Sequence, residues 1–200
     1  MRNLLVGSRA DAELPTRWGD FRISVFRFDG TEVVALTRGQ PDGAAPVLVR
    51  LHSECLTGDV LGSLRCDCGE QLRSSLAMLG GADRGVLLYL DHEGRGIGLF
   101  DKVRAYGLQD GGLDTVEANL HLGFGADQRE YSAAIAILED LGVTRVRLLT
   151  NNPAKVGAFD RSPICLAARV PLFVPPTDHN SGYLEAKRLR MGHLLQELGG

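Results

Sequence analysis

The sequence predicts an α/β protein built on a mixed sheet with helices and a strand-rich N-terminal part. Three observations carry that prediction. Short apolar runs of strand length alternate with stretches of helical periodicity. The N-terminal part reads as a hairpin rather than as a helix. Polar, glycine-rich segments follow directly on apolar runs, which is where open α/β sheets bind ligands.

Taken in order, residues 21–28 partly alternate through Phe21, Ile23, Val25 and Phe28. Asp29-Gly30 follows, and residues 31–36 form a second strand-like run, so the pair reads as a hairpin. Residues 39–46 hold two Gly and two Pro and read as a loop. Residues 47–51 are a buried strand. Residues 70–79 predict a helix, with Leu72, Leu76 and Leu79 on one face and Gly80-Gly81 as its stop. Residues 85–90 are another buried strand, running straight into Asp91-His92-Glu93-Gly94-Arg95-Gly96-Ile97-Gly98. The clearest helix is 131–141, where Tyr131, Ile135, Leu138 and Leu141 share a side and Gly142 supplies the residue after the cap. Residues 146–149 form a strand that ends at Thr150-Asn151-Asn152-Pro153. Residues 164–172 are a further strand, and 185–198 a closing helix.

Composition bounds the function. The 200 residues suit a single domain spanning 1–200, and 44 % hydrophobic with 24 % charged residues is ordinary for a globule. A chain of this length buries enough apolar surface to fold without a metal, so a metal here serves chemistry. Net charge is −3, with no basic block of the kind that neutralises duplex phosphates. No apolar run approaches the roughly 18 residues of a membrane span, and the Leu4-Leu5-Val6 run is too short for a signal sequence. A cytoplasmic protein without nucleic-acid or membrane partners is expected. Four Cys in that compartment are not a disulfide framework: Cys55, Cys66 and Cys68 cluster, and Cys165 stands apart.

Four segments carry chemistry. Cys55, then ten intervening residues, then Cys66-Asp67-Cys68 has the character of a zinc site. Three thiolates with an open fourth position make a catalytic site, where bound water can ionise near neutral pH and attack an electron-poor carbon. His52 is a candidate fourth ligand. Arg65 and Asp67 flank the thiolates, either as outer partners or as solvated charges. The Glu93–Gly98 turn can bring backbone N–H groups and Arg95 to an anion, though a plain Gly-rich turn is equally consistent. Residues 104–129 are dense in groups able to bind a base, ribose or phosphate. Within them, Asp127 could be a helix N-cap and Arg129 a phosphate ligand. Thr150 and Lys155 at a strand end could hold phosphate oxygens, or form an ordinary polar turn.

Taken together and in this order, these segments resemble the GTP cyclohydrolase II family of riboflavin synthesis, from about Trp18 to the C-terminus. The resemblance is densest at 50–59, 64–69, 93–99, 104–119 and 148–153. It implies an α/β fold, a homodimer, one Zn²⁺ per subunit, and Mg²⁺ accompanying the triphosphate. The substrate it implies is GTP, and the products are formate, pyrophosphate and 2,5-diamino-6-ribosylamino-4(3H)-pyrimidinone 5′-phosphate. Cys55, Cys66 and Cys68 match the zinc ligands. Arg50, Leu51, His52, Ser53, Glu54, Gln71, Glu93, Gly94, Arg95, Thr115, Thr150 and Lys155 match GTP-contacting positions. Asp127 matches the proton acceptor, Arg129 the proposed nucleophile, and Tyr106 the tyrosine near the attacked ring. A guanidinium pKa above about 12 favours charge stabilisation over covalent attack as the role of Arg129. The chain departs from the family after Lys155, at Pro163 and at Ala186. Two alternatives follow: a paralogue that stops at a formamidopyrimidine nucleotide, and a zinc nucleotide-binding protein without turnover.

Overall fold

The computed structural model describes residues 7–28, 31–125 and 127–194. Seven strands form one mixed sheet: β1 (Ser8–Thr16), β2 (Gly19–Phe28), β3 (Thr31–Arg38), β4 (Val47–Ser53), β5 (Gly85–Leu90), β6 (Arg145–Leu149) and β7 (Cys165–Val170). Among the described residues seven α-helices accompany them: α1 (Leu56–Asp59), α2 (Cys68–Gly80), α3 (Gly98–Asp110), α4 (Thr115–His121), α5 (Ser132–Asp140), α6 (Pro153–Gly157) and α7 (Ser181–Met191). The α/β class and the mixed sheet agree with the sequence.

The sheet runs β1-β2-β3-β5-β4-β6-β7. Its first half is antiparallel, from β1–β2 through β2–β3 to β3–β5. Its second half is parallel, in β4–β6 and β6–β7. The two halves read differently in sequence for that reason. In β2, Ser24, Phe26 and Phe28 point inward on one face between more exposed neighbours, while Phe21 near the start of the strand is buried on the opposite face. In β4 every residue but Ser53 is buried, as expected of a central strand covered on both sides. The hairpin pairing of β2 with β3 holds up to Phe28 opposite Thr31, while Asp29 and Gly30 themselves lie outside the described residues.

β1 is an element that the sequence reading missed. Its nine residues are nearly all exposed and carry no apolar alternation, so no periodicity announces them. Backbone pairing along β2 makes the strand, from Ser8 opposite Arg27 to Thr16 opposite Gly19. The Thr16 hydroxyl closes the turn, accepting from the Trp18 N–H at 3.1 Å and donating to the Gly19 carbonyl at 2.8 Å.

The chain divides into two compact units. The first comprises 1–52, 73–91 and 130–172, and the second comprises 53–72, 92–129 and 173–200. The first holds the apolar core. Phe26, Val49, Leu51, Leu88 and Leu148 from the sheet pack with Ala134, Ile137 and Leu138 of α5. Gly142 ends α5 at φ +73°, the left-handed position expected after its cap. Around Pro163, where the chain departs from the family, the Ser162 hydroxyl accepts from the Ile164 N–H at 3.2 Å just before β7.

The C-terminal helix differs from the expected 185–198 within the described residues, and 195–198 lie outside them. It begins at Ser181 and stops at Met191, because Gly192 turns left-handed at φ +62°. No helix among the described residues is long and apolar enough to cross a membrane.

Candidate metal centre and nucleotide site

Three sulfurs meet in the second unit. The ligand atoms of Cys55, Cys66 and Cys68 lie within 4.8 Å of one another, and Cys55 and Cys66 stand 3.7 Å apart. Tetrahedral zinc with about 2.3 Å bonds places its sulfurs about 3.8 Å apart, so the donor set fits that ion in both chemistry and spacing. Among the described residues no fourth His, Cys, Asp or Glu joins the group. His52 does not: its ring is 1 % exposed and stacks on Tyr89 with centroids 5.5 Å apart.

Local structure explains how the sulfurs converge. Cys55 precedes α1, its N–H donating to the Asp59 carboxylate at 3.0 Å. Cys68 opens α2. Gly58 lies between them, and a Cβ there would sit 2.8 Å from Cys66 Sγ and 3.2 Å from Cys55 Sγ. The glycine is required by space rather than by backbone conformation.

Asp67 between the second and third sulfurs is 3 % exposed and fully engaged. It accepts from Lys187 Nζ of α7 at 2.7 Å and from Gln71 Nε2 at 2.5 Å. Burial would raise its pKa, but the Lys187 charge and these hydrogen bonds outweigh it and hold the carboxylate below its ordinary range. Of the two flanking charges, Asp67 is therefore not a solvated loop charge but a buried, paired one between Cys66 and Cys68. Arg65 instead pairs with Asp110 at 2.5 Å and stacks over the Tyr106 ring.

Tyr106 on α3 reaches the cluster through Thr57. Its hydroxyl lies 3.2 Å from Thr57 Oγ1, which is 3.6 Å from Cys55 Sγ. Burial, foremost, pushes the Tyr106 pKa up, so the phenol is neutral at neutral pH and available as a proton donor.

Asp127 and Arg129 form a bidentate pair. Arg129 Nε donates to Asp127 Oδ1 at 2.8 Å and Nη2 to Oδ2 at 2.5 Å, while Nη1 reaches Ser53 Oγ at 3.4 Å. Burial raises the Asp127 pKa, but the Arg129 hydrogen bonds and charge outweigh it and lower the value overall. The N-cap alternative for Asp127 is overturned. Tyr131 occupies the cap of α5 without a side-chain bond, and Asp127 is committed to Arg129.

The Glu93–Gly96 turn is a short 3₁₀ segment with two consecutive left-handed residues, Gly94 at φ +61° and Arg95 at φ +64°. Arg95 is the one non-glycine residue with positive φ among those described, a strained position for a side chain with a Cβ. Its Nη1 and Nη2 are buried beside the Tyr183 ring and find no hydrogen-bond partner in the described chain. A buried guanidinium in that condition is built to receive an anion. Glu93 itself is 7 % exposed. Thr115 opens α4 behind the Asp114–Glu117 capping box, and Glu54 is half-buried.

The remaining expected GTP contacts, Arg50, Leu51, His52, Thr150 and Lys155, belong to the first unit. Arg50 Nη1 donates to the Leu149 carbonyl at 3.0 Å, and Lys155 Nζ to the Leu51 carbonyl at 2.6 Å. Thr150 Oγ1 accepts from the Asn152 N–H at 3.0 Å, and Asn152 caps α6 through Ala154. The strand end is thus a tied polar cluster, and the Leu51 side chain is wholly buried.

A family model for GTP cyclohydrolase II matches residues 8–171. The chain belongs to the GTP cyclohydrolase II family. It is 56 % identical over 191 residues to GTP cyclohydrolase-2 of Pseudomonas paraeruginosa, a match covering 94 % of this chain and 93 % of that one. GTP cyclohydrolase-2 of Histophilus somni is 54 % identical over 188 residues, covering 93 % and 87 %. A rice protein, the probable bifunctional riboflavin biosynthesis protein RIBA 2, chloroplastic, is 52 % identical over 196 residues, covering 96 % of this chain and 35 % of its own length. As a member of the GTP cyclohydrolase II family the chain is an enzyme. The sequence reading had left Gly58, Thr57 and Lys102 out of its site. Lys102 stands one helical turn before Tyr106, but α3 has no apolar stripe that would announce the helix carrying them both. Gly58 left no signal either, because a glycine needed for space leaves no pattern.

Proposed function

We propose that this enzyme opens the imidazole ring of GTP by hydrolysis, with zinc held by Cys55, Cys66 and Cys68. The products are formate, pyrophosphate and 2,5-diamino-6-ribosylamino-4(3H)-pyrimidinone 5′-phosphate, an early step of riboflavin synthesis. The observation that carries the proposal is the three-sulfur group at zinc spacing with no fourth protein ligand among the described residues. When bound, the metal supplies Lewis-acid activation of water toward the guanine C8, the carbon between two nitrogens.

The chain's own groups do the rest. One water opens the ring to a formamide, a second releases formate, and a third cleaves the bond to the pyrophosphate leaving group. Tyr106, a neutral phenol, donates a proton to the ring nitrogen freed at C8. Arg129, oriented by its two bonds to Asp127, stabilises charge at the phosphate. The buried Arg95 guanidinium receives phosphate oxygens. Arg50, His52, Ser53, Glu54, Gln71, Thr115, Thr150 and Lys155 are the further nucleotide-contacting positions that the family resemblance implies. Mg²⁺ accompanies the triphosphate, and the enzyme works as a cytoplasmic homodimer of single-domain chains.

The test is incubation of purified protein with GTP and Mg²⁺, following formate, pyrophosphate and the ultraviolet spectrum. Both products are expected. Pyrophosphate without formate would replace this reading by the formamidopyrimidine paralogue. Cys66→Ser is expected to lose zinc and ring opening together, and normal turnover by metal-free protein would overturn the zinc assignment.

A further inference from the structure

Lys102 has no part in the site as described so far. Its side chain, 10 % exposed, leaves α3 and ends on two acceptors. Nζ donates to Cys55 Sγ at 3.1 Å and to Glu93 Oε1 at 2.6 Å. Glu93 is itself held by the chain. Its Oε1 also accepts from the Gly94 N–H at 2.8 Å, and its Oε2 accepts from the Leu56 N–H at 2.7 Å. One buried carboxylate therefore ties together the residue after Cys55, the glycine-rich turn and α3. Both of its oxygens are already occupied by donors of the chain.

The chemistry of the cluster calls for such a group. A divalent ion with three thiolates carries a net negative charge, which is costly in a buried setting unless neighbours compensate it. An ammonium donating to one sulfur supplies that compensation and fixes the sulfur's position. It also draws electron density from the sulfur, leaving the ion more electrophilic.

We propose that Lys102 is a positioning residue of the metal centre, holding Cys55 through an ammonium–sulfur hydrogen bond, and that the Glu93 carboxylate acts through Lys102 and Leu56 rather than by touching the nucleotide. The inference rests on reading the three sulfurs as a metal site.

Cobalt(II) is the probe, titrated into metal-free protein against a competing chelator while the sulfur-to-cobalt charge-transfer absorption is followed. Lys102→Met is expected to lower cobalt affinity roughly 10–100-fold and to shift the absorption, the usual consequence of losing an outer partner. Lys102→Arg, which keeps charge and donor, is expected to recover most of the affinity. If Lys102→Met does not fold, Lys102→Gln takes its place with the same outcomes. In the zinc-loaded enzyme, Glu93→Gln is expected to lower kcat with KM for GTP unchanged. Unaltered affinity and absorption in Lys102→Met would overturn the role of Lys102 while leaving the metal site standing. A rise in KM alone for Glu93→Gln would return that carboxylate to the nucleotide. A wild-type protein without the charge-transfer band would overturn the metal site and this inference together.

Discussion

The two units are ordered by different forces. In the first, a large apolar cluster dominates: Phe26, Leu51, Leu88, Ile137, Leu138 and Leu148 are each at most 2 % exposed and pack together, with Arg50, His52, Thr150 and Lys155 buried beside it at the strand ends. In the second, the buried apolar side chains are few and mostly small: Ala105, Val116, Ala118, Leu184 and Ala186. Its larger ones face outward, including Leu61, Phe100 and Leu120. The interior places go instead to Asp67, Glu93, Lys102 and Lys187, arranged as ion pairs around the sulfurs. Hydrophobic burial is non-directional and tolerant, whereas buried ion pairs are stabilising only while every partner is present. The first unit is therefore a scaffold, and the second is an assembly that depends on completeness.

The largest test of that contrast is removal of the metal that the three sulfurs are proposed to hold. With a chelator present, amide hydrogen exchange is expected to accelerate strongly in 53–72 and 92–129 and to change little in β2, β4, β5 and α5, since local opening follows local stability. Uniform loss of protection across both units would erase the distinction. The length argument, that 200 residues fold without a metal, would then apply to the first unit alone if the contrast holds.

A smaller effect separates the two kinds of buried contact. Asp67→Ala leaves the Lys187 ammonium buried without its partner, at a cost of about 3–5 kcal/mol. Leu148→Ala leaves a cavity in the sheet, at a cost of about 2–5 kcal/mol. The stability losses overlap, but metal affinity is expected to fall only for Asp67→Ala. Equal affinity in the two variants would show that the Lys187–Asp67 pair does not shape the sulfur loop.

The same contrast explains what could be read in the sequence. β2 to β6 and α5 were legible because apolar burial imposes periods of 2 and 3.6, and those periods survive in the order of residues. β1 was not, because its order comes from backbone pairing with β2 while its side chains face water. α3 and α4 were missed as elements because their buried residues are Lys102, Ala105, Val116, Ala118 and Asn119, too mixed in polarity to read as an apolar stripe. In the site, the sulfurs were visible by spacing, Arg95, Arg129, Thr150 and Lys155 as candidate anion ligands, and the other expected nucleotide positions only by resemblance. Lys187 and Tyr183 lie beyond residue 171, where the family model ends, and their link to Asp67 and Arg95 joins parts of the chain far apart in sequence.

The smallest effect concerns acid. Asp127 is held below its ordinary carboxylate pKa, with burial opposing and the Arg129 hydrogen bonds and charge prevailing. A folded-state value lower than the unfolded one adds stability above the unfolded value, and that stability disappears as pH falls through the folded value. The unfolded value of an aspartate is near 3.9. Asp127→Asn is therefore expected to lower Tm by a constant amount from about pH 8 to pH 5, and the gap is expected to close below about pH 4. Because the pair is partly open to solvent, added salt should narrow the gap at neutral pH as well. If the gap instead persisted unchanged to pH 3, the contribution of Asp127 would come from the shape of its loop, and Arg129 would owe its orientation to Ser53 and the backbone rather than to charge.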